Sequence, residues 1–347
     1  MNNKFIDGGA FVGEGVNDFA GGTLPFESRV PDSNWNKQEY LPTGEKQIGI
    51  NGDKLNCVTQ SNHNSIEFQL NQMIADKTIP IGNLQWLCSK GYLDSLGKVN
   101  FSEKYNSILN KTSEYKGNWL YKVANDTREN GLILQTMLPE KVGENWDTYY
   151  NKGQVTQDML NLGKEFLEWF DISYEWIYDK SYINLVKQLQ HTPFQIVFSN
   201  HAVVEIRNRE ELMDYYDSYE PYVKEKLQSL MRSCMKLIVK PISRMPDAIY
   251  IIKDANSLTT GIWYGAKSEQ ELVAKAKEAG FPIPLTPAGT LDWEAFIQGT
   301  LKINNCNNNS MGIIKNIFKK EEKPVVEPVV EPEPVEEPVV NDVPSFL

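Results

Sequence analysis

The segment Ser199-Asn200-His201-Ala202-Val203-Val204-Glu205-Ile206 constrains this chain most, because its β-branched, apolar run reads as a strand and sets a histidine at its head. Well upstream, Cys57 opens a stretch of the opposite kind. Ile66, Leu70, Met73 and Ile74 recur there at helical spacing, after a loop rich in Gly, Asn and Asp, so the spacing predicts a helix whose N-terminus is Cys57. The chain must therefore join helix and sheet. A helix start offers unpaired amides and a positive dipole end, which stabilise a thiolate, and a nearby imidazolium adds to that effect. Further on, Tyr215-Tyr216-Asp217-Ser218-Tyr219 supplies Asp217 as an acceptor able to hold the imidazole in one tautomer and orientation.

The order is Cys57, His201, Asp217, with the histidine roughly 140 residues after the cysteine, inside the interval of roughly 130 to 150 seen in papain-like enzymes. Over about residues 30 to 225 the chain resembles the papain-like cysteine peptidases. Asn34-Trp35 is similar to the family's Asp-Trp near the mature N-terminus, and Asn51-Gly52 stands ahead of Cys57 where the family has Gln-Gly. The resemblance implies that Asn51 and the Cys57 N–H hold the oxyanion, with Gln47 and Gln60 as alternatives to the shorter asparagine. Gly117-Asn118-Trp119-Leu120-Tyr121-Lys122-Val123-Ala124, followed by Glu129-Asn130-Gly131-Leu132, is similar to the family's glycine-aromatic helix and the turn after it. That likeness implies that Gly117 offers its backbone to an extended substrate. Tyr182 to Leu189 reads as a helix, and Pro193-Phe194-Gln195-Ile196-Val197-Phe198 as a strand leading toward His201.

The resemblance implies an α+β fold, in which a helical subdomain carrying the nucleophile helix packs on an antiparallel β-barrel subdomain. It also implies a cysteine-type peptidase that hydrolyses polypeptides through an acyl-enzyme, using neither metal nor cofactor. Some family words are absent. The nucleophile reads Leu55-Asn56-Cys57-Val58 rather than Gly-Ser-Cys-Trp, and the third residue reads Asp217-Ser218-Tyr219 rather than Asn-Ser-Trp. Aspartate adds a charge that stabilises an imidazolium, and Tyr216 or Tyr219 takes the place of the shielding tryptophan. Two other readings stay open: a catalytically inactive papain-like module in a virion or surface assembly, which the replaced tryptophans motivate, and a cysteine amidase acting on cell-wall peptides. Of the other histidines, His63 falls on another face of the predicted helix and His191 in a loop; Asp214 is the rival to Asp217.

The chain has 347 residues, 41% hydrophobic and 23% charged, enough for one large or two medium globular units. Residues 321 to 347 hold eight acids against Lys323, a net of -7 out of -11 for the whole chain, so the acidity belongs mostly to the tail. The remaining residues show no basic stripe interleaved with aromatics, which argues against nucleic-acid binding. Cys57, Cys88, Cys234 and Cys306 include no Cys-x-x-Cys pair, so neither a zinc site nor a redox dithiol is expected. The start, Met1 to Gly9, lacks an apolar core of signal-peptide length, and no apolar run approaches the roughly 20 residues of a membrane helix. The expected location is cytoplasmic, or virion-associated for a bacteriophage protein. A compact, tail-bearing peptidase of this kind suits a bacterium or a bacteriophage.

Four parts follow along the chain. Residues 1–30 form a Gly-rich leader, expected to drape as a strap or to be clipped, and residues 31–225 form the catalytic domain. Residues 226–304 read as a small α+β appendix, with strands near Met235 to Val239, Ala248 to Lys253 and Gly261 to Tyr264 and a helix from Ser268 to Ala279. Its first strands alternatively extend the barrel to about residue 253. Residues 305–347 are an Asn-rich linker and a Pro/Glu/Val-rich tail, expected to be a disordered spacer or a docking arm for a protein partner.

Overall fold

The computed structural model describes residues 10–11, 28–44, 47–49, 52–112, 117–141, 143–242, 249–252, 260–263, 268–278, 283–292 and 295. The chain divides into a unit of Met1–Asn305 and a second of Cys306–Leu347. The second unit, Asn51, the Asn-rich linker and most of the Gly-rich leader lie outside the described residues.

Short strands β1 (Ala10–Phe11), β2 (Ile48–Gly49) and β3 (Gly52–Asp53) precede the long helix α1 (Cys57–Ala75). Helices α2 (Ile81–Lys90) and α3 (Glu103–Leu109) follow, then strand β4 (Asn118–Trp119) and helices α4 (Leu120–Asn130), α5 (Trp146–Tyr149) and α6 (Gln157–Trp169). Helix α6 runs straight into β5 (Phe170–Trp176), and α7 (Tyr182–Leu189) leads to β6 (Phe194–Phe198), β7 (His201–Arg209) and β8 (Leu212–Tyr216). Strands β9 (Val223–Leu227), β10 (Ser233–Pro241), β11 (Ile249–Ile252) and β12 (Thr260–Trp263) and helix α8 (Glu269–Glu278) complete the described elements.

The main sheet is antiparallel throughout, in the order β5-β10-β6-β7-β8-β9. Its edges are β5 and β9, and among the described residues no pairing joins them. Strand β10 lies in the interior of the sheet, with Met235 opposite Trp176 on one side and Gln195 on the other. The segment around Met235 to Val239 is thus a strand of the main sheet. Among the described residues, strands β11 and β12 pair with each other alone.

Two hydrophobic cores flank α1 and the sheet. One joins Ile66, Leu70 and Met73 of α1 to Leu84 and Leu87 of α2, Phe166 of α6 and the inward side chains of β5 and β10. The other joins Phe68 of α1 to Leu185 and Leu189 of α7, Trp35 and the opposite face of β6 and β7. Helix α1 is buried from Cys57 to Ile74 although much of it is polar. Its polar side chains serve as hydrogen-bond partners for distant backbone, which is how buried polar groups are tolerated. Glu67 Oε1 accepts from Phe101 N at 2.8 Å, and Asn71 Oδ1 from Val99 N at 2.9 Å. Gln69 Nε2 donates to Leu237 O at 3.0 Å while its Oε1 accepts from Val239 N at 3.2 Å, and Ser65 Oγ donates to Pro193 O at 3.0 Å.

The expected glycine-aromatic helix begins at Leu120, three residues past Gly117. Asn118 holds the preceding backbone extended, with its Nδ2 donating to Asn110 Oδ1 at 2.6 Å and its Oδ1 accepting from Trp119 N at 2.9 Å. Helix α4 ends at Gly131, whose φ of 70° lies in the left-handed region, and its C-terminus there meets the backbone of α6 at Gly163.

Candidate active site

Cys57 is the first residue of α1 and is fully buried. Leu55, two residues before it, has φ 51°, an uncommon conformation for a bulky side chain, and its N–H donates to Asp53 Oδ1 at 2.7 Å. His201 opens β7 directly after the hairpin of Ser199 and Asn200, paired with Phe198 of β6. Helix α1 packs on β7, which brings the start of the helix and the head of the strand to one place. Asp217 stands just past the end of β8, its N–H donating to Tyr222 O at 2.7 Å.

His201 Nε2 and Asp217 Oδ1 are 2.6 Å apart, with side chains only 12% and 5% exposed. The other ring nitrogen, Nδ1, is buried. Burial works against a charged ring, but the hydrogen bond to Asp217, then hydrogen bonding and charge at Cys57, outweigh it and raise the imidazole from 6.5 to about 10. The ring is therefore protonated at neutral pH and stands between a carboxylate and a thiol. Burial would likewise raise Asp217, yet His201 and then Lys224 hold it below the ordinary carboxylate value.

Lys224, on β9, is a member of this constellation that sequence reasoning missed. Its Nζ lies 2.7 Å from Asp217 Oδ2, so both carboxylate oxygens are engaged. The alternating Val-Lys-Glu-Lys-Leu of β9, beginning six residues after Asp217, is the signal that could have found it. Tyr219 lies over the imidazole, ring centroids 5.0 Å apart and planes inclined at 36°. Tyr216 instead turns into the core, edge-on to Phe68 at 5.4 Å, so the tyrosine covering the histidine is Tyr219. Asp214 pairs with Arg209. His63 is buried edge-on to Phe101, and burial lowers its pKa to about 3. His191 follows α7, buried, its N–H on Gln188 O at 3.0 Å.

Of the amides considered for an oxyanion, Asn51 lies outside the described residues. Gln47 is fully buried beside the Asp217 loop: its N–H donates to Ser218 O at 3.1 Å, and its Oε1 accepts from Ser218 Oγ at 2.9 Å. Gln60 is buried on α1, one turn past Cys57. Gly117, with φ 66°, immediately precedes β4, and the leader's Ala10–Phe11 pairs in parallel with Asn118–Trp119. Among the described residues no group of three or more His, Cys, Asp or Glu could hold a metal ion. Cys57, Cys88 and Cys234 are buried outside any disulfide. Among the described residues no helix is long and apolar enough to cross a membrane.

No protein-family model matches the chain, and no curated protein does. Solved structures similar to it are cysteine proteases. One is a Carica candamarcensis cysteine protease in complex with E-64, at 11% identity and a TM-score of 0.38, covering 59% of this chain and 96% of that one. A second is the bromelain protease from Ananas comosus in complex with the E64 inhibitor, at 11% identity and a TM-score of 0.36, with coverage of 59% and 96%. A third is a digestive procathepsin L 3 of Tenebrio molitor larval midgut, at 11% identity and a TM-score of 0.37, covering 62% of this chain and 71% of that one.

Proposed function

We propose that this protein is a papain-like cysteine peptidase whose nucleophile is Cys57, whose acid and base is His201 and whose orienting carboxylate is Asp217. The observation that carries the reading is the 2.6 Å contact of His201 Nε2 with Asp217 Oδ1, in a ring whose proton affinity also depends on Cys57 at a helix start. His201, paired with Asp217, is the partner that exchanges a proton with Cys57.

The thiolate attacks the carbonyl carbon of a peptide bond, and the carbonyl oxygen becomes an oxyanion facing the Cys57 N–H and a side-chain amide, Asn51 or Gln47. His201 gives its proton to the departing amine as the C–N bond breaks, leaving a thioester on Cys57. Neutral His201 then takes a proton from water as that water adds to the thioester, and the acid product leaves with the thiolate restored. Asp217 stays ionised throughout and holds the ring. Gly117 and the extended residues after it offer backbone to the substrate chain, the edge with which Ala10–Phe11 pairs.

The test is alkylation of wild type and His201→Ala with a peptidyl epoxide, with the adduct located by mass spectrometry. An adduct on Cys57 that depends on His201 is expected. Equal labelling of Cys88 and Cys234, or none, refutes the reading.

A further inference from the structure

A single carboxylate ties together the loop that enters α1 and the loop that follows β8. Asp53 Oδ1 accepts from Gln47 Nε2 at 2.6 Å and from Leu55 N at 2.7 Å, and its Oδ2 accepts from the Tyr219 hydroxyl at 2.6 Å. Each partner bears on a different part of the proposed machinery. Leu55 sets the backbone entering Cys57, Gln47 bonds twice to Ser218 beside Asp217, and Tyr219 lies on the imidazole and donates its own N–H to Asp217 Oδ1 at 3.3 Å.

We propose that Asp53 is a positioning residue which, by holding the Tyr219 hydroxyl, fixes that ring as the cover over the His201–Asp217 hydrogen bond. This rests on the reading of Cys57, His201 and Asp217 as the reacting set. A tyrosine has two side-chain torsions, and an untethered ring over a partly open site would swing between rotamers. Water reaching the imidazolium–carboxylate pair would weaken it, because attraction between charges falls as the local dielectric rises. Burial, then the charge and hydrogen bond of Asp53, push the Tyr219 hydroxyl well above the ordinary phenol value, so it remains a donor. Lys224 Nζ stands 5.8 Å from the centre of the same ring while it pairs with Asp217, so the cover and the carboxylate share a neighbour.

The experiment uses the full chain as wild type, Tyr219→Phe, Asp53→Asn and the double variant, with an epoxysuccinyl reagent as the probe of Cys57. The maximal alkylation rate is expected to fall about tenfold in each single variant, with reagent affinity within about twofold, as one lost charge-assisted hydrogen bond misplaces the ring. The double variant is expected to match the singles, because both substitutions cut one link. In nitrogen-15-labelled protein the His201 Nε2–H proton resonance broadens in Tyr219→Phe, which a role confined to folding of the loop would not produce. Unchanged rates in the single variants, or losses that multiply to about a hundredfold in the double, overturn the positioning role while leaving the nucleophile assignment standing. Failure of the wild type to label at Cys57 overturns that assignment and this inference together. If Asp53→Asn does not fold, Tyr219→Phe keeps the ring and still decides the matter by rate and resonance.

Discussion

Gly163→Ala is a substitution for which helix propensity and packing predict opposite signs. Gly163 lies inside α6, where alanine is favoured over glycine by about 1 kcal/mol. A Cβ there would stand 2.2 Å from the Asn130 carbonyl oxygen and 2.9 Å from the Tyr105 hydroxyl oxygen. Asn130 O is backbone at the C-terminus of α4, and to reach 3.4 Å it must retreat by about 1.2 Å. Such a shift drags Gly131, whose own position is bounded by the Gly163 carbonyl, and disturbs the Asn130–Asp126 hydrogen bond of 2.8 Å. Overpacking of this kind costs about 1–3 kcal/mol, and with rigid backbone on both sides the upper end applies. After the propensity gain, a net loss of about 2 kcal/mol remains, which lowers Tm by roughly 3 °C in a unit of this size. Thermal unfolding followed by circular dichroism, with a urea titration at 25 °C, measures both quantities. A Tm equal to or above that of the wild type would refute the claim that α4 and α6 meet backbone to backbone.

Other outcomes can be checked with the same preparations. Cys57→Ala is expected to abolish peptidase turnover with Tm within a few degrees of wild type, and undiminished turnover would remove the nucleophile assignment. Lys224→Met is expected to cost about 1–2 kcal/mol and to move the acid limb of Cys57 alkylation to higher pH, since Lys224 helps hold Asp217 low; an unmoved limb would show that His201 suffices. His201 is raised from 6.5 to about 10, so its contribution to stability is complete below pH 6.5 and is lost as pH rises through about 10; urea midpoints in His201→Ala should lose that part of the alkaline decline. Glu205, raised by burial from 4.5 to about 8, adds a penalty as pH climbs between those values, and Glu205→Gln is expected to flatten that stretch of the curve. Removing residues 1–27 is expected to speed alkylation of Cys57 by a peptidyl epoxide, because Ala10–Phe11 no longer pairs with Asn118–Trp119; an unchanged rate would show that this pairing does not screen the site.

The local elements were legible where side-chain spacing is decided by neighbours in sequence. The helix opening at Cys57, the helix Tyr182–Leu189 and the strand expected from Pro193 to Phe198, which begins at Phe194, all follow from such spacing. What escaped is non-local. Nothing near Met235 announces that its strand inserts between β5 and β6, which are themselves separated by α7. Strand β5 carries an alternating pattern, yet it follows α6 without a turn residue, so the change of period has no punctuation. Nor does the spacing of α1 show that its polar side chains are buried, with oxygens that accept from the N–H groups of Phe101, Val99 and Val239. At the candidate site the pairing of His201 with Asp217 was legible from residue type and order, whereas Lys224 and Asp53 become visible only once the two loops meet.

The helix that carries Cys57 is held by bonds from its side chains to the backbone of distant segments, so it has no private route to fraying. Opening its middle turns means releasing Val99, Phe101, Leu237 and Val239 at once, and that is loss of the whole unit. Its amides should therefore exchange with deuterium only as fast as the unit unfolds globally, tracking total stability under urea one for one. The lifetime of an assembled nucleophile is then the lifetime of the folded protein, and any substitution that shortens the second shortens the first, however far from Cys57 it falls.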